Sequence, residues 1–96
     1  MSDKSLVDKF VCPCCGYRTH REETGGIYNI CEVCYWEDDP FQLEDPDYIS
    51  GANRVSLRQG QKNFEEFGAC EREMMRNVRP PNQDELRDRD WKYLDF

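Results

Sequence analysis

The sequence predicts a small α+β fold, a cysteine-bounded N-terminal β-hairpin followed by two or three short helices. Three observations predict it. The spacing of Cys12 and Cys15 recurs in Cys31 and Cys34 after fifteen intervening residues. Ser56 opens a stretch in which Leu57, Phe64 and Phe67 return at helical spacing. Finally, 96 residues of which 38% are hydrophobic make a marginal core, so a staple beyond apolar packing is expected.

The staple comes from the cysteines. Two C-x-x-C pairs at this separation match a four-cysteine zinc pattern, because two intervening residues let a tight turn present both sulfurs to one ion. Cys12, Cys15, Cys31 and Cys34 are therefore the expected ligands of one structural zinc ion. Four protein ligands close the coordination sphere and leave no position for catalytic water. Gly16 follows the first pair and suits the positive backbone angle such turns need. Tyr35 holds the equivalent place after the second, where less ideal closure is expected. Between the pairs, Tyr17–Arg21 and Ile27–Cys31 read as strands joined by a turn at Thr24-Gly25-Gly26. Hairpin and two zinc knuckles together form a zinc ribbon over residues 10–36. The competing readings are a disulfide pair and a redox C-x-x-C, the latter weakened because no βαβ pattern surrounds either pair. Cys14 or His20 could replace a ligand. Spacing favours Cys14 as a spare thiol pointing away and His20 as a residue on the strand surface. Cys70 reads as a small buried apolar residue.

Residues 37–55 form an acidic segment with Pro40 and Pro46. It reads as an ordered loop anchored by Phe41, Leu43, Tyr48 and Ile49. Residues 56–96 form the helical part. Ser56 and Gln59 have capping-box spacing, Gly60 permits a close approach on the apolar face, and Gly68 stops the helix. A further helical turn is expected through Cys70 to Asn77, ended by Pro80 and Pro81. Asn82 and Glu85 again have capping-box spacing, predicting a third helix from Gln83. Trp91, Tyr93, Leu94 and Phe96 are dense enough to predict a docked tail. The whole chain, residues 1–96, reads as one domain.

Charge narrows the function. There are 13 Lys and Arg against 20 Asp and Glu, a formal net charge of −7. Four thiolates on one zinc ion would add about two more negative charges. Such a surface repels nucleic acid and favours a protein partner with a basic face. Trp36, Glu37, Asp38, Asp39, Asp45 and Asp47 are the candidate contact residues, although carboxylates here also suit the capping of backbone amides. The N-terminus carries no basic stretch followed by an apolar run, and no segment has the length of a membrane span, which points to the cytoplasm.

These motifs resemble a family. Cys12-Pro13-Cys14-Cys15-Gly16-Tyr17, Ile30-Cys31-Glu32-Val33-Cys34-Tyr35-Trp36-Glu37-Asp38-Asp39, Gly51-Ala52-Asn53-Arg54-Val55-Ser56-Leu57, Asn63-Phe64, Phe67-Gly68 and Val78-Arg79-Pro80-Pro81 together resemble the cysteine-rich CPCC family of small bacterial proteins. The resemblance implies a bacterial cytoplasmic zinc-binding protein. Some small proteins of this kind resemble immunity proteins encoded beside secreted toxins. The expected role is a non-enzymatic protein-interaction module, in its sharp form an immunity protein covering a basic toxin such as a nuclease. One alternative is a nucleic-acid-associated zinc ribbon, if Arg54, Arg58, Lys62, Arg72, Arg76 and Arg79 align as a basic stripe. Another is a thiol redox sensor using Cys14 or Cys70.

Overall fold

The computed structural model describes residues 9–95. Strand β1 (Phe10–Val11) pairs antiparallel with β2 (Arg18–His20), with Phe10 opposite His20 and Val11 opposite Arg18 across a bulge. The first cysteine pair is therefore the turn of this hairpin. That corrects the expected pairing of Tyr17–Arg21 with Ile27–Cys31. The physical reason lies in Asp38. Its Oδ2 accepts the backbone amides of Gly25, Gly26 and Ile27 at 2.7, 2.8 and 3.0 Å. Amides held by a carboxylate are not free for a strand ladder. Tyr28 then turns left-handed at φ 59°. The chain beyond it folds back on residues 36–38: Tyr28 N donates to Asp38 O, Asp38 N to Asn29 O, and Ile30 bridges Glu37. Each cysteine pair thus sits at the tip of its own small hairpin.

Helix α1 (Pro40–Glu44) lies where the sequence reads as a loop. Its local signal is Asp39-Pro40, an N-cap carboxylate before a proline at the first helical position. Asp39 Oδ1 accepts from Phe41 N at 2.7 Å, and its Oδ2 accepts from Ala52 N at 2.7 Å. Gln42 is fully buried behind it. Its Nε2 donates to the carbonyls of Tyr48, Asn53 and Val55, and its Oε1 accepts from Asn53 N and Nδ2. Asn53 also exchanges both of its amide groups with the backbone of Glu37. One buried amide pair therefore ties residues 37–55 into a fixed shape. The expected anchors fail to bury: Phe41, Leu43, Tyr48 and Ile49 are all exposed. The loop is held by polar groups instead.

Helix α2 (Leu57–Phe67) matches its predicted bounds. Ser56 Oγ accepts from Gln59 N at 3.1 Å, while the Gln59 side chain turns to Asn63, so half of the capping box forms. Gly68 N donates to Phe64 O and closes the helix. Gly60 faces the core, where a Cβ would meet Trp36 at 3.2 Å and the Cys14 sulfur at 3.3 Å. A side chain there would have to push Trp36 or Cys14 aside by a few tenths of an ångström. The next helical turn is a short 3-10 helix (Arg72–Met74), preceded by a bond from Cys70 N to Cys34 O.

No third helix forms from Gln83. Glu85 does accept from Asn82 N at 2.7 Å, the reciprocal half of a capping box. The same carboxylate is also held by Arg79, and Leu86 O accepts from Arg18 N. These contacts extend the chain, and Arg87 bridges Tyr17 beside β2. The tail docks as expected. Trp91 covers Gly16 and donates to Pro13 O at 3.3 Å, and Leu94 N donates to Gln61 at 2.6 Å. The Arg87 guanidinium lies over Tyr17, Trp91 and Tyr93 at 4.9–5.2 Å and donates to Cys15 O. Phe96 lies outside the described residues.

Gln42→Leu tests whether polar pairing carries the acidic segment. The change adds apolar character but leaves three buried carbonyls and an amide without partners. Unmade buried hydrogen bonds cost more than apolar volume returns. A loss of about 3 kcal/mol is expected by urea unfolding, and an unchanged midpoint would show that the network is dispensable.

Candidate metal centre

Two turns build the site. In the first, Cys12 N donates to Tyr17 O and Gly16 N to Cys12 O. In the second, Cys31 N donates to Trp36 O and Tyr35 N to Cys31 O. The hydrogen-bond pattern is the same, and so is the backbone: Gly16 has φ 81° and Tyr35 φ 71°. The second turn was expected to close less ideally, and instead it copies the first. A left-handed tyrosine costs about 1–2 kcal/mol, which the two hydrogen bonds and its packing against the core offset.

The turns face each other and bring Cys12, Cys15, Cys31 and Cys34 together. All four are buried, and their sulfurs lie within 4.8 Å of one another. Cys12 and Cys34 stand 3.6 Å apart, and Cys15 and Cys31 3.8 Å. A tetrahedron with metal–sulfur bonds of about 2.3 Å has edges of about 3.8 Å. The separations suit one metal ion held by four sulfurs. All six cysteines are free thiols. A four-sulfur donor set selects soft or borderline ions over magnesium or calcium.

The electrostatics agree. Burial pushes the Cys12, Cys15 and Cys34 thiols well above the usual range. Cys31 moves the other way, lowered by hydrogen bonds from Cys12, Cys15, Cys34 and Thr19. Without a cation, burial therefore opposes ionising the set as a whole. A cation is what makes four thiolates tenable in so dry a place. Thr19 Oγ1 donates to Cys31 Sγ at 3.1 Å, a supporting contact from β2 that no motif announces.

Neither Cys14 nor His20 joins the group. Cys14 is buried and turned toward Gly60 of α2. His20 is buried too, where the strand surface was expected, and its Nε2 has no hydrogen-bond partner. Cys70 is buried as read, and burial raises its thiol.

The acidic residues divide. Trp36, Asp38 and Asp39 are buried, so as contact residues they are corrected: Trp36 packs on Gly60, and both carboxylates hold backbone amides. Glu37 is half-buried with its backbone held by Asn53. Asp45 and Asp47 remain at the surface, Asp47 paired with Arg58 at 2.8 Å. The suggested basic stripe is interrupted by ion pairs. Arg54 meets Glu71 and Glu73, Arg58 meets Asp47, and Arg79 meets Glu32 and Glu85.

A family model described as cysteine-rich CPCC matches residues 10–85, and the chain belongs to that family. The match covers both cysteine turns, both α-helices and Glu85. A comparison with curated proteins finds no match. Among the described residues, no helix is long and apolar enough to cross a membrane.

Metal affinity should rise steeply with pH. Thiols must surrender their protons on ligation, so log affinity should climb by one per displaced proton per pH unit. Competition against a chromophoric chelator between pH 6 and 8 measures that slope, and a flat profile would rule out thiolate ligation. Thr19→Val should weaken binding by roughly 10–100-fold, as loss of a supporting hydrogen bond does.

Proposed function

We propose that this CPCC-family chain is a non-enzymatic protein-binding module organised by one structural zinc ion. In its sharpest form it is an immunity protein in the bacterial cytoplasm, covering a basic toxin such as a nuclease. The observation that carries this reading is the closed set of four buried sulfurs. Zinc in such a set has no open position for water or substrate, so its contribution is to the fold. The two turns then act as zinc knuckles.

The charge supports a basic partner. At a formal −7 the chain attracts a positive face over long range and repels nucleic-acid backbones. The nucleic-acid alternative is weakened further by the carboxylates that neutralise Arg54, Arg58 and Arg79. The thiol-sensor alternative is weakened by burial. A reactive cysteine needs an accessible, low-pKa sulfur, whereas Cys14 and Cys70 are both buried and the Cys70 thiol is raised.

Native mass spectrometry of the full chain should find one zinc ion; iron, or a well-folded metal-free protein, would refute the structural role. Co-purification from the native host should recover one specific protein in a one-to-one complex. Its association rate should fall as salt rises. A partner whose association ignores salt would contradict the basic-face reading, and recovery of no specific protein would remove the interaction role.

A further inference from the structure

We propose that the exposed rim on residues 41–49, whose cleft is lined by Phe41, Glu44, Asp45 and Tyr48 with Leu43 and Ile49 exposed on the same segment, is where this chain grips its partner. The occupant is a protein segment presenting a large apolar side chain flanked by Lys or Arg. This deepens the protein-binding reading and rests on it.

The first argument is an inversion of ordinary patterning. Around α1 the polar residue Gln42 is fully buried, while its neighbours Phe41 and Leu43 face out. Phe41 is 62% exposed and Ile49 70% exposed. Isolated exposed apolar residues are ordinary, but four large ones within nine positions of one segment are not. The sequence puts a glutamine inward, where it serves backbone carbonyls and an amide, and it leaves the apolar groups outside.

The second argument is rigidity. Asp39 caps α1, Gln42 holds the carbonyls of Tyr48, Asn53 and Val55, and Asp45 N donates to Phe41 O. Arg58 grips Asp47 through its side chain and Pro46 O through its backbone amide. The apolar groups are thus displayed on a clamped frame, and preorganisation lowers the ordering cost of binding. Phe41, Glu44, Asp45 and Tyr48 line a shallow cleft of about 260 Å³, fitting for one large side chain.

The third argument is charge, which selects the occupant. No Lys or Arg occurs between Arg21 and Arg54. Glu44 and Asp45, on the wall of the cleft, enter no ion pair with a described residue. Asp45 Oδ1 accepts the Asp47 amide at 3.2 Å, but no described cation neutralises either carboxylate, so the apolar cleft complements an apolar side chain between cations. It disfavours a second copy of the same acidic surface and an anionic lipid headgroup.

The test uses the zinc-loaded full chain and two synthetic amphipathic helical peptides of equal apolar content, one with a lysine polar face and one with a glutamate polar face. The lysine peptide should bind, with amide shifts in NMR concentrated at residues 41–49. Phe41→Ser and Ile49→Ser should each weaken it by roughly tenfold or more, as should E44K with D45K, while the spectrum elsewhere is unchanged. No binding, equal binding of the glutamate peptide, or shifts centred outside this segment would overturn the proposal. So would self-association lost in Phe41→Ser, or binding to phosphatidylglycerol vesicles. A host partner retained in full by the Phe41→Ser, Ile49→Ser double variant sinks this site and spares the protein-binding role. Peptide binding at the rim with no host partner recovered does the reverse.

Discussion

Everything in this structure depends on holding four sulfurs from two separate turns at tetrahedral distances in a dry interior. The turns are distant in sequence, and the strand segments that carry them are only two or three residues long. Such short pairings have little stability of their own. Burial raises three of the four thiols, and hydrogen bonds from its neighbours lower the fourth. A cation held by these sulfurs would couple its binding to the folding together of the two turns, with protons as the released product. The left-handed Tyr35 belongs to the same constraint. Its strain persists because the sulfurs of Cys31 and Cys34 must face inward from the same turn shape that Gly16 completes at lower cost.

Around that centre the core is built as much from polar groups as from apolar ones. Its buried apolar members are mainly the cysteines, Val33, Trp36 and Leu57. Asp38, Asp39, Gln42 and Asn53 do the rest by satisfying backbone amides and carbonyls that irregular chain would otherwise leave unpaired. This explains how a strongly acidic sequence packs. Three of its carboxylates, at Asp38, Asp39 and Glu85, are buried acceptors of backbone amides, and others neutralise arginines at the surface.

The elements that local rules govern were legible in the sequence. The four-cysteine cluster followed from cysteine spacing, α2 from Ser56 and Gly68, and the docked tail from the density of Trp91, Tyr93 and Leu94. The elements decided by distant groups were not. The partner of β2 depends on Asp38 drawing the amides of Gly25, Gly26 and Ile27 away from a ladder, which no periodicity reveals. Asn82 and Glu85 made the local hydrogen bond that their spacing announced, yet no helix followed, because Arg79 and Arg18 compete for the same stretch. Helix α1 did carry a signal in Asp39-Pro40, but two prolines among acids read more strongly as loop. Whether Gln42 or Phe41 points inward cannot be read from a five-residue helix with both polar and apolar neighbours.

That last ambiguity has a structural answer with functional weight. Trp36 follows the second cysteine turn directly, and its ring is pinned between that turn and Gly60 of α2. Asp38 and Asp39 come next and are pulled inward by amides on both sides, which sets the direction in which α1 leaves. With the helix so oriented, Gln42 meets the carbonyls of residues 48, 53 and 55, and Phe41 and Leu43 have nowhere to go but outward. The outward rim is thus a geometric consequence of the metal turn, transmitted through a few buried polar side chains. A chain with few apolar residues leaves four of them exposed on residues 41–49 while its interior is completed by carboxylates and amides. Apolar packing alone would favour the opposite arrangement; the hydrogen-bonding needs of the backbone at residues 48, 53 and 55 override it.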